Sequence, residues 1–144
     1  MIRKAKTEEA ETVAGLAIQM WTENDFEDLV NEFRELINSD EAACFIKYVG
    51  GKAVAFAQCQ LRYDYVEGTR SSPVGYLEGI FVSDPYRRSG YAAKLLAECE
   101  KWAKERGCIE FASDCELDNE DSLLFHLSLG FEEVNRIICF RKRL

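Results

Sequence analysis

The 144-residue sequence predicts an α+β fold built on a mixed, largely antiparallel central sheet flanked by helices. Two strand-like runs, residues 44–49 and 53–59, flank Gly50-Gly51, a dipeptide typical of a tight hairpin. A strand, a helix and a further strand follow in the second half of the chain. The 47% hydrophobic content is sufficient for one core, and no repeat or linker divides the chain. We therefore expect residues 1–144 to form a single domain.

Local signals predict the first helices. A short strand begins at Ile2, and Thr7 is the expected N-cap of a helix that runs to about Met20, because two glutamates follow it at the positive helix end. Apolar residues at helical spacing predict a second amphipathic helix over residues 26–37. Both helices need a sheet to cover their apolar faces.

The second half begins with a buried strand over residues 74–82, in which Glu78-Gly79 interrupts the apolar run and predicts a β-bulge. A helix is expected from Arg87 to about Arg106, where Gly107 stops it. A short strand at 109–112, a helix at 118–130 and a strand at 134–140 complete the predicted order.

Composition excludes several functional classes. The chain has 18 basic and 26 acidic residues, a net charge of −8, which argues against a nucleic-acid partner and favours a cationic small molecule. No apolar stretch approaches the roughly 20 residues of a membrane span, and no secretory signal is present, so we expect a soluble cytoplasmic protein with no membrane association. The six cysteines form no C-x-x-C pair, and His126 is the only histidine, so we predict no metal site and mostly buried, reduced thiols.

The sharpest motif is Arg87-x-x-Gly90-x-Ala92, which lies between a predicted strand and a predicted helix. The first N–H groups of a helix lack intrahelical acceptors and favour phosphate oxygens. An anion site and an ordinary capped helix start are both compatible with so short a pattern. The sequence contains neither G-x-x-x-x-G-K-[ST] nor G-x-G-x-x-G after a first strand, so these two nucleotide motifs are excluded.

This motif, followed by Phe125-His126-x-x-x-Gly130-Phe131, resembles the signatures of the GCN5-related N-acetyltransferase (GNAT) superfamily. The resemblance implies the GNAT acetyltransferase fold, with acetyl-CoA bound where the sheet splays between strands four and five. Relatives usually have a tyrosine at the position of His126, near the thioester sulfur. Two roles are open for His126: protonating the leaving thiolate, or packing and contacting CoA.

The resemblance extends to a subgroup. Residues 64–73, 77–82, 112–114 and 141–143 are similar to aminoglycoside 6'-N-acetyltransferases of the chromosomal, dimeric subgroup. This implies transfer of acetyl from acetyl-CoA to the 6'-amino group of an aminoglycoside, antibiotic resistance, and a homodimer. The drug contacts carried over are Trp21, Tyr65, Glu78, Asp114 and Asn135, the last standing where relatives have an acidic residue. The acetyl-CoA contacts carried over are Ile80, Phe81, Val82, Arg87, Arg88, Ser89, Gly90, Tyr91, Ala92, Ala93 and Asn119.

The chemistry of the reaction assigns roles to some of these residues. Attack on a thioester needs a neutral amine, so a group must accept a proton from the ammonium. Glu78 is the first choice of base and Asp114 the second, although either carboxylate is also suited to anchoring an ammonium or to a salt bridge. The backbone N–H of Phe81 or Val82 is expected to polarise the thioester carbonyl. We expect direct transfer in a ternary complex, with Cys115 beside Asp114 as the covalent alternative.

Other interpretations stay open at this point. Trp21 and Tyr65 are suited to stacking on a sugar ring or to core packing. Two rival functions share the same motifs: acetylation of another amine, such as a polyamine, a peptide or a protein lysine, and CoA binding without turnover.

Overall fold

The computed structural model describes residues 1–144 and contains one five-stranded sheet of order β1-β2-β3-β4-β5. The four N-terminal strands pair antiparallel with their neighbours, and β5 runs parallel to β4. The predicted mixed, largely antiparallel sheet is therefore confirmed. The strands are β1 (Ile2–Lys4), β2 (Ala42–Val49), β3 (Lys52–Arg62), β4 (Val74–Val82) and β5 (Phe111–Ala112).

Helices cover both faces of this sheet. They are α1 (Ala10–Ala17), α2 (Phe26–Asn38), α3 (Tyr91–Glu105) and α4 (Glu120–Ser128), with short 3-10 helices at Thr7–Glu9 and Asp84–Tyr86. Successive side chains of a strand point to opposite faces, so Ile46 and Phe56 pack with α1 and α2, whereas Phe45 and Ala55 pack with α3. The two apolar clusters place the sheet between two helical layers.

The start of the first helix differs from the prediction. Thr7 is not an N-cap: it begins a 3-10 helix whose N-cap is Lys6, and its Oγ1 donates to Asn38 Oδ1 at 2.6 Å. The α-helical part begins only at Ala10 and ends at Ala17, after which turns continue to Met20. The side chain of Thr7 therefore links the two N-terminal helices instead of capping one of them.

The bulge predicted at Glu78-Gly79 is confirmed. On β3, the consecutive residues Gln58 and Cys59 face Gly79 and Leu77 of β4, so Glu78 is the extra residue. The splay is also present, because β4 and β5 pair at only two positions, Gly75 with Phe111 and Tyr76 with Ala112. Beyond Tyr76, β4 continues to Val82 with one edge open.

The C-terminal prediction is wrong for this chain, because residues 131–144 form no helix or strand. Ile138 and Phe140 are 78% and 90% exposed. A strand needs a neighbouring strand to accept its backbone hydrogen bonds, and the chain offers none there. Smaller corrections are that α3 begins at Tyr91 instead of Arg87, that β5 spans only 111–112, and that α4 is shorter than 118–130. None of the helices combines the length and apolar character of a membrane span.

Candidate active site

Glu78, the extra residue of the bulge, is held by an ion pair with Arg62 at the end of β3. The Arg62 Nε and Nη2 atoms both donate to Glu78 Oε1, at 3.0 and 2.7 Å. The Glu78 side chain is only 20% exposed. The salt-bridged carboxylate envisaged from the sequence is thus present, but it pairs through a single oxygen.

Glu78 faces a cavity of about 180 Å³ between the bulge and the first two helices. Trp21 forms one wall, stacked on Phe33 with ring centroids 6.4 Å apart. A Cβ atom at Gly79 would lie 2.9 Å from the Trp21 ring, so glycine allows the indole to approach the bulge. Trp21 is therefore both a packing residue and a wall of the cavity, which is lined by Trp21, Glu32, Phe33, Leu36, Gln58 and Glu78.

Asp114, the second candidate base, follows β5 and contacts Tyr76 of β4. The Tyr76 hydroxyl donates to Asp114 Oδ2, and the tyrosine is only 5% exposed. Burial first, and then the hydrogen bond to Asp114, raise the pKa of the Tyr76 phenol, so it stays protonated as a donor. The guanidinium carbon of Arg62 lies 3.5 Å from the centroid of the same ring. Contacts through Arg62 and Tyr76 thus connect the two carboxylates.

His126 lies on α4 beside the splay, and both of its ring nitrogens have partners in the protein. Nδ1 lies 2.7 Å from the backbone oxygen of Ser122, and Nε2 lies 2.8 Å from Ser113 Oγ. Ser113 immediately follows β5, and its hydroxyl is also 3.3 Å from the backbone oxygen of Leu77. The hydroxyl of Ser113 therefore lies between His126 and the residue that precedes the bulge.

The turn before α3 presents free backbone donors. No protein group accepts from the N–H groups of residues 88–93. Gly90 is the N-cap with φ +77°, and a Cβ there would meet nothing within 4 Å. Arg87 is held beside the turn by Asp84 Oδ1 at 2.8 Å and by the Val82 carbonyl at 2.9 Å. A side-chain cap would have accepted from one or two of these N–H groups, but none is present, so all of them are available to an anion.

The register of β4 separates the two amide candidates for the thioester carbonyl. The Ser83 N–H donates to the Val54 oxygen at 2.9 Å, on the β3 side. Successive N–H groups of a strand point to opposite edges, so that of Val82 points to the open edge and that of Phe81 to β3. The N–H of Ile80 shares the direction of Val82.

Other predicted residues lie farther from this cavity. Tyr65 is 74% exposed in the loop between β3 and β4. Asn135 Nδ2 donates to Glu67 Oε2 of that loop at 2.7 Å. Asn119 caps α4 by accepting from the Ser122 N–H, and Cys115 is an exposed free thiol. None of these four lines the cavity.

The family model for the acetyltransferase (GNAT) family matches residues 10–131, a span that contains both the bulge and the turn before α3. The chain belongs to the GNAT acetyltransferase family. The GNAT fold predicted from its two motifs is confirmed, and the splayed strands and the free amides of residues 88–93 are its two local features in this structure.

Named GNAT relatives cover nearly the whole chain. The aminoglycoside N(6')-acetyltransferase type 1 of Serratia marcescens is 44% identical over 130 residues, covering 90% of this chain and 89% of the relative. That of Salmonella enteritidis is 39% identical over 142 residues, covering 99% and 98%. The structure of AAC(6')-Iy with the bisubstrate analogue CoA-S-monomethyl-acetylneamine matches with a TM-score of 0.94 at 39% identity, covering 100% and 98%. AAC(6')-Ih from Acinetobacter baumannii matches with a TM-score of 0.95 at 37% identity, also covering 100% and 98%.

Sequence reasoning missed several residues of this GNAT site. Arg62 and Gln58 reach the site because β3 pairs with β4, and Glu32 because α2 packs over the bulge. Ser113 lies in residues 112–114, a segment to which the sequence assigned a resemblance but no role for the serine. One signal in the sequence could have found two of the missed residues. If β3 is extended to Arg62, the alternation of a strand places Gln58, Gln60 and Arg62 on one face of the sheet.

Proposed function

We propose that this protein transfers the acetyl group of acetyl-CoA to the 6'-amino group of an aminoglycoside antibiotic and thereby confers resistance. One observation carries the proposal: the β4 bulge presents Glu78 to a cavity on one side, while the same strand's open edge leads to the free amides before α3 on the other. A nucleophile and a CoA thioester would meet at this strand. The relatives named above, similar over nearly the full length, support the choice of amine.

Acetyl-CoA supplies the electrophilic thioester when it is bound. The N–H groups of residues 88–93 are suited to its pyrophosphate, with the positive charges of Arg87 and Arg88 nearby. The open edge at Ile80 and Val82 is suited to its pantetheine amides, and the Val82 N–H to the thioester carbonyl. Phe81 and Asn119 are proposed to contact the coenzyme through their side chains.

In the proposed reaction, Glu78 accepts a proton from the 6'-ammonium through Oε2, directly or through water. The neutral amine attacks the carbonyl carbon, the C–S bond breaks, and the nitrogen loses its second proton. The thiolate takes up one proton, so the step releases one proton overall. His126 is proposed as the donor to the thiolate, acting as an imidazolium. Asp114 is the alternative base, and Cys115 takes no part.

The remaining cavity residues are suited to a polycationic sugar. A groove of about 430 Å³ adjoins the cavity, sharing Glu32 and Leu36 with it, and carries Glu35 and Glu41. Carboxylates in a groove attract a ligand with several ammonium groups. Trp21 and Tyr65 are proposed to stack on the sugar rings, and Asp114 and Asn135 to contact polar groups of the drug.

We further propose a homodimer located in the cytoplasm. The tail after Phe131 supports the dimer, because it carries exposed apolar residues at Val134, Ile137, Ile138 and Phe140 without a strand to pair with. A second copy would supply that strand. Cys44, Cys59, Cys99 and Cys108 are buried free thiols, which are typical of a reducing compartment.

A substrate pair tests the function. Neomycin carries an amine at the 6' position where paromomycin carries a hydroxyl. Purified protein with acetyl-CoA should release free CoA thiol with neomycin and kanamycin but not with paromomycin. NMR of the product should place the acetyl group on the 6'-nitrogen. Turnover confined to spermidine or to a lysine peptide would transfer the proposal to that amine, and CoA binding without thiol release from any amine would refute it.

A further inference from the structure

Arg62 places a positive charge beside a cavity that, on the proposed function, admits a cation. Its side chain is 38% exposed, so water competes only partly for its donors. The ion pair with Glu78 neutralises the charge of Arg62. A neutral glutamine at position 62 would form no ion pair and would leave the charge of Glu78 free to attract a cation, so it would serve cation binding better. The arrangement of the Arg62 donors suggests a different role.

Both hydrogen bonds from Arg62 go to the same oxygen of Glu78. Nε and Nη2 converge on Oε1, and no protein group donates to Oε2. A bidentate pair across both oxygens would have occupied the whole carboxylate. The observed geometry fixes the orientation of the side chain and leaves one oxygen available.

The guanidinium is itself fixed on its other side. Its carbon lies 3.5 Å from the Tyr76 ring centroid, within the range of a cation–π contact. Tyr76 is held in turn by burial and by its hydrogen bond to Asp114. Because the ring cannot shift without disturbing β4, the position of Arg62 is set by the sheet.

We propose that Arg62 is a positioning residue that holds the Glu78 carboxylate by Oε1 and directs Oε2 to the amine of the substrate. This inference rests on the proposed function, because it assumes that Glu78 acts on an amine in the cavity. It adds a role for a residue that does not itself line the cavity.

The chain contains a matched control. Arg3 also pairs with a glutamate and lies over a tyrosine, 4.7 Å from the Tyr48 centroid, but on β1 and away from the cavity. Steady-state kinetics with neomycin should give a kcat for Arg62→Met that is about 10- to 100-fold below wild type, as expected when a base loses its orientation. The KM for acetyl-CoA should change less than about twofold, and Arg3→Met should keep wild-type kinetics.

A double-mutant cycle separates positioning from general damage. In a Glu78→Gln background, Arg62→Met should cost no further activity, because residues that act as a unit are not additive. A full additional loss would overturn the proposal. Arg62→Lys provides a second variant if methionine impairs folding; it keeps the charge without the planar fork, and wild-type turnover of this variant would also overturn the proposal.

Crystallography supplies a readout that does not depend on turnover. The Glu78 carboxylate should adopt more than one rotamer in Arg62→Met and a single rotamer in wild type and Arg3→Met. An unchanged Glu78 rotamer would refute the inference while leaving the proposed function intact. Failure of wild-type protein to acetylate any aminoglycoside would instead refute the proposed function.

Discussion

His126 makes hydrogen bonds that determine which nitrogen carries its proton. The Ser122 carbonyl only accepts, so its 2.7 Å contact places a proton on Nδ1. In the neutral ring Nε2 then accepts the Ser113 hydroxyl proton at 2.8 Å, in place of the longer 3.3 Å hydrogen bond from that hydroxyl to the Leu77 carbonyl. Because this is the only histidine, its ¹⁵N resonances need no assignment by mutation. We expect two-bond ¹H–¹⁵N NMR spectra of the neutral folded protein to report the Nδ1–H tautomer.

The urea-unfolded chain is the control for that measurement, since its imidazole has no fixed partner. A neutral Nε2–H tautomer in the folded protein would contradict the hydrogen bonds described here. The Nδ1–H form has a functional consequence: a neutral His126 has no proton on Nε2, so protonating a thiolate from that nitrogen requires the imidazolium.

Replacing Glu78 separates a base from an anchor. Glu78→Gln keeps the size and an acceptor for Arg62 but removes the proton acceptor, so kcat should fall about 10²- to 10⁴-fold. The rate of the Glu78→Gln variant should continue to rise with pH over a range in which the wild-type rate is constant. Without a base on the enzyme, the variant depends on substrate amine that has already lost its proton in solution. Steady-state kinetics from pH 6 to pH 9 make the comparison.

Glu32→Gln is the matched control for Glu78→Gln, since Glu32 lines the same cavity. A carboxylate that only attracts the ammonium groups contributes equally to ground state and transition state, so this variant should raise the KM for the drug with kcat unchanged. The same pattern for Glu78→Gln would identify Glu78 as an anchor.

For single residues, the sequence predicted a structural feature correctly where the neighbouring residues in the chain determine it. Glu78-Gly79 indicated a bulge because a charge and a glycine break an apolar strand. Arg62 was missed because its partner lies 16 residues away and is chosen by strand register. Thr7 was misassigned because the first helical turn begins one residue earlier: Lys6 is the N-cap, and its N–H donates to the Glu9 carboxylate at 2.8 Å. The roles predicted for the site residues stay predictions.

Among the elements, the start of α3 offers a direct test of coenzyme binding. Gly90 has φ +77°, so Gly90→Val strains the backbone and disturbs the free amides that follow. The KM for acetyl-CoA should rise about tenfold, equivalent to losing one strong hydrogen bond to a charged group. Stability should fall by about 1–2 kcal/mol.

Gly107 provides the control at the other end of α3. Its φ is +86°, and a Cβ there would also meet nothing within 4 Å. Gly107→Val should therefore lose similar stability, measured by urea unfolding, without any change in the KM for acetyl-CoA. An equal rise in KM for both variants would mean that the effect of Gly90→Val comes from strain alone.

The loop between β3 and β4, which carries Tyr65, is tied to the start of β5 by Glu110. The Glu110 carboxylate accepts from the Ser71 hydroxyl and from the Arg70 N–H, and these hydrogen bonds lower its pKa, the Ser71 bond most. A lowered pKa in the folded state stabilises the fold fully above the unfolded value of about 4.3 and loses that effect as the pH falls through the folded value.

The Tm difference between wild type and Glu110→Gln tests this link. It should be constant above about pH 5.5 and shrink as the pH falls towards 3, because protonated Glu110 resembles glutamine. Glu98→Gln, a glutamate on α3 for which the structure gives no hydrogen bond, is the comparison. A difference that does not depend on pH would rule out an ionic contribution from Glu110.

Elements were predictable where their cause is local. The hairpin at Gly50-Gly51 is confirmed, with φ of +57° and +80°, because both turn residues favour glycine. The start of α3 was predicted too early, at Arg87. Residues 87–90 directly precede the helix in the sequence, but their backbone does not have helical geometry. The strand predicted at 134–140 is absent because strand-forming residues also need a neighbouring strand with which to pair.

For the whole molecule, the proposed dimer depends on the tail. Val134 packs against Gly68, where a Cβ would collide with it, and the chain beyond Arg136 is largely exposed. Light scattering should give the full chain about twice its 16.5 kDa mass. Truncation after Arg136 should give a monomer, because it removes the apolar strand-forming residues.

An alanine and serine substitution of Ile137, Ile138 and Phe140 within the full-length chain is the matched control. It keeps the length and removes the apolar surface, so it should also be monomeric. A monomeric wild-type protein at micromolar concentration would refute the proposed dimer, whereas the expectation that residues 1–144 form a single domain is independent of it.

The inserted residue in β4 also implies that the Glu78 carboxylate and the scaffold are separable. Excising codon 78 would bring Leu77 and Gly79 together opposite Cys59 and Gln58, which already are neighbours on the adjacent strand. The hydrogen bonds between β3 and β4 would then continue without interruption, as in an ordinary antiparallel pair of strands. A lineage could therefore acquire or discard this carboxylate through a three-nucleotide insertion or deletion without redesigning its sheet.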